Sequence, residues 1–486
     1  MHSPLALFIA AVLALLPAVQ PSPAPIAITG VTVIDGTGAS PLKRTLLIRT
    51  GVIAAITDSG VTPPSGYAVV DGAGKFVIPG LWDMHVHLAV RPEPALAERT
   101  MFPMFLAYGI VGVRDMGGPL ERVLSLRDRV RRREIEGPRI LTPGPFIDGP
   151  GEDDEAFRRV ADPATARAAV DALAMAGVDF VKVQANLSME SWRAVMDEAR
   201  KRKLPVVGHV PVTIPAAVVV DGGQRSIEHI SPALVGDAGL LFACSSRETE
   251  LHAELVAIER DRATVPSDVI RRREAALRTA LVDSYDASRA AAIGRAIARQ
   301  SEWIVPTLIW SNSFRPLSVS DTGADLPLDL VPADTRARWL KGRTAYLQAA
   351  SASDFESAAR VARRAAEAVG AMHRAGAAVL AGTDTLDAFD LPGISLHQEL
   401  ALLVGAGLTP MEAIQSATRS AAAYRGTLRT EGTVERGKQA DLVLLDRDPL
   451  ADIRNTRRIA AVVQGGRLRT RSDLDALLAA ARDAAK

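Results

Sequence analysis

The sequence predicts a parallel (β/α)8 TIM barrel joined to a small composite β-sandwich domain made from both ends of the chain. Three observations carry that reading. Eight short apolar runs alternate with amphipathic helices between residues 81 and 424. Strand-like texture precedes that stretch and returns after it. The polar residues inside the apolar runs fall at the same end of each run.

Taken in order, the chain opens on "MHSPLALFIAAVLALLPAVQ", whose residues 5–16 are unbroken apolar. A run of that length is too short for a bilayer core, which needs about 20 residues. Followed by Pro17-Ala18 and a Pro/Ser stretch, it reads as a secretory signal peptide over residues 1–24, although no Lys or Arg precedes it. No cysteine follows to carry a lipid, so the expectation is a periplasmic or secreted protein with no stable membrane anchor after cleavage. From 25 to 80, "IAITGVTVIDGTG", "RTLLIRTGVIAAI" and "GYAVVDGAGKFVIPG" show alternating or β-branched texture between Gly/Asp turns. The same texture in "ADLVLLDRDPL" and "IAAVVQGGRL" assigns 425–470 to the same composite domain, and 471–486 to a C-terminal helical tail.

The barrel occupies 81–424. Its eight candidate strands are "LWDMHVHL", "IVGVRDM", "PRILTPG", "DFVKVQ", "PVVGHV", "RSIEHI", "WIVPTLI" and "AAVLAGTD". The helices between them have readable ends. Asp162-Pro163 caps a helix that stops at Gly177, and Ser188 opens one that stops before Pro205. Thr409-Pro-Met-Glu412 is a capping box opening a helix through Tyr424. A helical insertion over about 251–300 and a polar loop after the seventh strand both lie where barrel loops build active sites; either a solvated insertion or a substrate lid fits.

Composition narrows the function classes. Hydrophobic residues make up 48%, enough for a large core, and 57 basic against 56 acidic residues offer no electrostatic case for a nucleic-acid partner. The one cysteine, Cys244, lies in apolar "LLFACSS" and excludes an intramolecular disulfide and a cysteine-rich zinc site.

The informative residues sit at strand ends. On a strand, residues i and i+2 share a face, so Asp83, His85 and His87 project together from the first strand. His209 ends the fifth strand, His229 the sixth and Asp384 the eighth, at the end where barrels keep their catalytic groups. Each alone is commonly a core histidine or a turn; together, four imidazoles and a carboxylate make a zinc-type ligand set. Lys182, between Val181 and Val183 in the fourth strand, is anomalous, because lysine is rarely buried unpaired. A snorkelling rim lysine is one reading. The other is carboxylation by CO2: burial disfavours the ammonium, and the neutral amine reacts to a carbamate able to bridge two cations.

With these motifs, together with "GIVGVRDMGG", "LTPMEAIQSAT" and "GKQADLVLLDRDP", the chain resembles the amidohydrolase superfamily, in its imidazolonepropionase-like and prolidase-like branch. The resemblance implies a binuclear site for two divalent metal ions of the Zn2+ type. His85, His87 and Asp384 would hold one ion, His209 and His229 the other, with carboxylated Lys182 and a hydroxide between them. Asp384 would be the catalytic base, passing its proton to the leaving amine. Asp83 would orient a ligand or serve as a structural carboxylate. Two departures from relatives matter. His209 is followed by Val-Pro-Val, without the glutamate usual in deaminases of the superfamily, and Gln184 stands where many relatives place a substrate-binding tyrosine.

The expectation is a metal-dependent hydrolase of amide C–N bonds in dipeptides or N-acyl amino acids, with a small molecule as its partner. A cyclic-amide hydrolase or lactonase on the same site is the alternative. A mononuclear enzyme using His85, His87, His209 and Asp384, and a metal-free binding protein, are further readings. A homo-oligomer is compatible with all of them. The acidic "GEDDE" after the third strand fits either a preference for cationic side chains or a solvated loop.

Overall fold

The computed structural model describes residues 24–90, 96–230, 239–313 and 326–486. The expected leader lies almost wholly outside these, as does most of the loop after the seventh strand. No helix among the described residues is long and apolar enough to cross a membrane.

All eight barrel strands form where the apolar runs fall. They are Leu81–Val86, Ile110–Asp115, Arg139–Leu141, Val181–Val183, Val206–Gly208, Ser226–Glu228, Trp303–Val305 and Ala378–Val379, called first to eighth below. The first three pair in parallel, as do the last five. Two seams join the sets. Asp179 N donates to Thr142 O (2.9 Å) between the third and fourth strands, and Met84 N to Ala381 O (2.9 Å) between the first and eighth. Such strands are largely apolar because helices cover one face and the barrel core the other.

Helix ends follow the local signals. Asp162 accepts from Thr165 N and Gly177 closes Pro163–Ala176 in the left-handed conformation. Ser188 caps Met189–Arg202, and the Thr409/Glu412 capping box forms as expected. The helix expected from there to Tyr424 is instead broken into Pro410–Ser416 and Arg419–Tyr424. Tertiary hydrogen bonds explain the break: Ser416 O accepts from Ala381 N and Ala417 O from Trp82 N, tying the interruption to the eighth and first strands.

The terminal segments join in one eight-stranded hydrogen-bonded sheet. Leu442–Leu445 from the C-terminal half pairs with Phe76–Pro79 from the N-terminal half, and Ile28, Leu46, Val77, Leu442 and Val463 fill its core. The insertion consists of Glu248–Asp261 and Ser267–Asp283 ahead of Ala287–Gln300, and the tail is the helix Arg471–Ala484. Cys244 is buried, and burial pushes its thiol up to about 12, which removes it as a nucleophile. The stretch after the third strand holds two short strands, Phe146–Asp148 and Phe157–Arg159, beside the fourth barrel strand; their aromatic rings pack 4.9 Å apart.

One buried carboxylate away from the strand ends sets a pH dependence. Glu302, just before the seventh strand, is 2% exposed and neither of its oxygens has a hydrogen-bond partner. Burial pushes its carboxyl up to about 8, with Asp221 adding to the effect. A folded-state value above the unfolded one means that stability is lost as pH rises through that window. Glu302→Gln is therefore expected to raise the melting temperature by roughly 2–4 °C at pH 8.5 and to change nothing at pH 4.5. Melting curves across pH check this.

Candidate metal centre

The six sequence-predicted residues converge at the C-terminal ends of the strands. His85 and His87 come from the first strand, and the Nε2 atoms of both lie close to Asp384 Oδ1, at 3.2 and 3.1 Å. The ligand atoms of His85, His87 and Asp384 all fall within 4.8 Å of one another. His229 Nε2 is 3.8 Å from the other oxygen of Asp384, and the His209 and His229 rings are 4.8 Å apart. His85, His87 and Asp384 form the tightest group, and His209 and His229 lie beside it. Lys182 is 1% exposed, and its charge acts on His87, His209 and His229.

Backbone geometry delivers these side chains. His229 and Asp384 both have left-handed φ of 64°, which is rare for residues with a side chain. At His229 this breaks strand alternation, so Glu228 and His229, adjacent in sequence, both face inward. Gly208 precedes His209; a Cβ there would sit 2.2 Å from Val183 O, so glycine alone allows that approach. Gly382 is similarly tight, its added Cβ falling 2.8 Å from His85 Cβ and 2.9 Å from His85 N. Gly382→Ala is expected to cost about 1–3 kcal/mol and to push the eighth strand off the first. Thermal melting reads the stability loss, and weaker zinc retention reads the displaced Asp384.

Proton placement tests the fit to a metal. His85 Nδ1 faces Glu228 Oε2 at 3.0 Å and His87 Nδ1 faces Gly117 O at 3.3 Å. Both oxygens only accept, so both Nδ1 atoms carry hydrogen, and each ring turns its Nε2 toward Asp384. His229 Nδ1 is matched by Thr307 Oγ1 at 2.7 Å, which leaves its Nε2 facing Asp384 as well. Although His85 Nε2 is close to Asp384, it lacks hydrogen-bond geometry toward it. This is the arrangement a cation requires: Nε2 atoms inward, Nδ1–H groups held from behind.

Electrostatics agree. Burial, with the charge of Lys182, holds His209 well below its ordinary range, and burial brings His229 down to about 3, so both are neutral and able to ligate at pH 7. Burial works against the Asp384 carboxylate, but His85 and His87 overcome it and keep its proton affinity well below the usual range. Asp83 bonds no imidazole. Its carboxylate accepts from His85 N, Thr383 N and Thr383 Oγ1 (3.2, 3.1 and 2.8 Å), fastening the first strand to the residue before Asp384. Burial raises it to about 7.

Several neighbours were not anticipated from the sequence. Glu228 and Arg114 form a fully buried ion pair under His85. Trp310, after the seventh strand, stacks 5.1 Å from His229 and donates to Asp387 Oδ2 (2.5 Å) after the eighth. Phe146 lies 5.6 Å from the His87 ring and 5.9 Å from Lys182 Nζ. Glu228 carried the same signal as Lys182, a charge inside an apolar strand.

The family model for amidohydrolases matches residues 76–301 and 319–469. The chain belongs to the amidohydrolase family. Amidohydrolases generally bind divalent metals, and this family member has a candidate His/Asp site for one. Its fold is shared with several solved structures. A Bifidobacterium longum protein provisionally assigned as a prolidase is 26% identical, with TM-score 0.63, over 95% of this chain and 100% of that one. The bottromycin amidohydrolase is 23% identical, with TM-score 0.71, over 97% and 95%. A Xaa-Pro dipeptidase with methionine bound is 19% identical, with TM-score 0.63, over 92% and 100%. Curated relatives match over short stretches. An uncharacterized Mycobacterium tuberculosis protein is 46% identical over 66 residues, 13% of this chain and 11% of its own length. The dihydroorotase of Pelobacter propionicus is 42% identical over 64 residues, 13% and 14% of the two chains.

Proposed function

We propose that this chain is a metal-dependent hydrolase of amide C–N bonds in dipeptides or N-acyl amino acids, exported to the periplasm or medium. The observation that carries the reading is the convergence of the His85, His87 and His229 Nε2 atoms on one carboxylate, each imidazole held through Nδ1 from behind. His85, His87 and Asp384 would hold one divalent ion, His209 and His229 a second, and Lys182, as its carbamate, would link them. When bound, the cations acidify a water and polarise the scissile carbonyl. The chain's residues do the rest. Asp384, ionised and fixed by Asp83 through Thr383, accepts the proton of the attacking water at a carboxylate oxygen. It returns that proton to the departing nitrogen, so the amine leaves neutral. Phe146 and Trp310 flank the centre with aromatic surface, which favours substrates with an apolar group beside the amide.

Relatives assigned to prolidase and dipeptidase chemistry support the amide reading over the lactone one. The test is amine or acid release from zinc-loaded protein given dipeptides, N-acyl amino acids, cyclic amides and lactones. Cleavage of the first two classes is expected; turnover confined to lactones would overturn the proposal.

A further inference from the structure

Beneath the metal centre lies a closed polar network that the proposed chemistry does not use. Arg114, on the second strand, is fully buried between the rings of Phe180 and Tyr424. Its Nη2 donates to both oxygens of Glu228 (2.9 and 2.8 Å), its Nη1 to Ser226 Oγ (2.8 Å) and Tyr424 Oη (3.0 Å), and its Nε to Met84 O (2.6 Å). All five guanidinium N–H donors are therefore committed. Ser226 Oγ donates in turn to Glu228 Oε1 (2.5 Å), and Glu228 Oε2 faces His85 Nδ1 at 3.0 Å. The network links the first, second and sixth strands and ends on one imidazole.

Two buried charges inside a barrel are a costly way to fill space, since an apolar pair of similar volume is commonly as stable or more so. Their placement has a specific effect instead. A carboxylate that cannot rotate, because Arg114 and Ser226 hold it, can only accept from His85. It therefore fixes the Nδ1–H tautomer, sets the ring plane and makes Nε2 the better electron donor.

We infer that Arg114 and Glu228 form a positioning clamp that holds His85 ready for the metal, so that metal affinity depends on two residues that touch neither metal nor substrate. The inference rests on the reading of His85 as a ligand. Glu228 also precedes His229 in the chain, so the clamp couples a ligand of each subsite through one strand end.

The test uses the full chain and zinc alone as probe. The paired substitution Arg114→Met with Glu228→Gln removes both charges together and leaves neither stranded. It is expected to fold, by circular dichroism and apoprotein melting, and to bind zinc 10–100-fold more weakly in competition with a chromogenic chelator. A folded double variant with wild-type zinc affinity would overturn the clamp. If the double variant does not fold, long-range proton–nitrogen NMR of the wild-type imidazoles decides. The His85 resonance, identified by its loss in His85→Asn, is expected as the Nδ1–H tautomer, and the Nε2–H tautomer would overturn the inference. A wild-type chain that binds no zinc would instead defeat the ligand reading beneath it, which the same titration distinguishes.

Discussion

Asp384→Asn is expected to lower amide hydrolysis about 10³-fold while the protein stays folded. The side chain sits where His85, His87 and His229 converge, one oxygen toward the first two and the other toward the third. Asparagine keeps that shape but carries no charge and takes no proton. It also tolerates the left-handed backbone that residue 384 adopts, so the loop has no reason to rearrange. Amine release and melting temperature, measured on the same preparation, check both halves. Activity within tenfold of wild type would remove Asp384 from the chemistry.

Lys182→Ala has the second largest expected effect. The side chain is buried in the fourth strand among the histidines, where its positive charge opposes protonation of His87, His209 and His229. An ammonium would equally oppose two cations in that place. A carbamate reverses the sign and supplies two oxygens. Bound zinc per chain should fall from two to one or fewer in Lys182→Ala, with Lys182→Arg no better, and a short carboxylic acid in solution should restore part of the second ion. Unchanged stoichiometry in the alanine variant would favour the mononuclear reading.

The barrel was legible because its strands are local signals: short apolar runs bounded by Gly, Pro or a cap such as Asp162, Ser188 and Thr409. The candidate ligands were legible for the same reason, since a histidine or aspartate closing a strand points into a known end of the barrel. What escaped was decided by partners distant in sequence. The break at Ala417 exists because Trp82 N takes its carbonyl and Ala381 N that of Ser416. Phe146–Asp148 becomes a strand because Phe157–Arg159 and the fourth strand lie beside it. The role of Glu228 depends on Arg114 standing opposite it, across 114 residues of chain. Pocket walls such as Trp310 come from the short helix Leu308–Ser313 that follows the seventh strand, which is too brief for any periodicity to announce.

The most direct test of the whole account is a zinc titration of the apoprotein, with bound metal and amine release followed in the same samples. Activity should rise with added metal and saturate at two equivalents per chain. Saturation at one equivalent would contradict the binuclear centre, and hydrolysis indifferent to metal would contradict the account at its root.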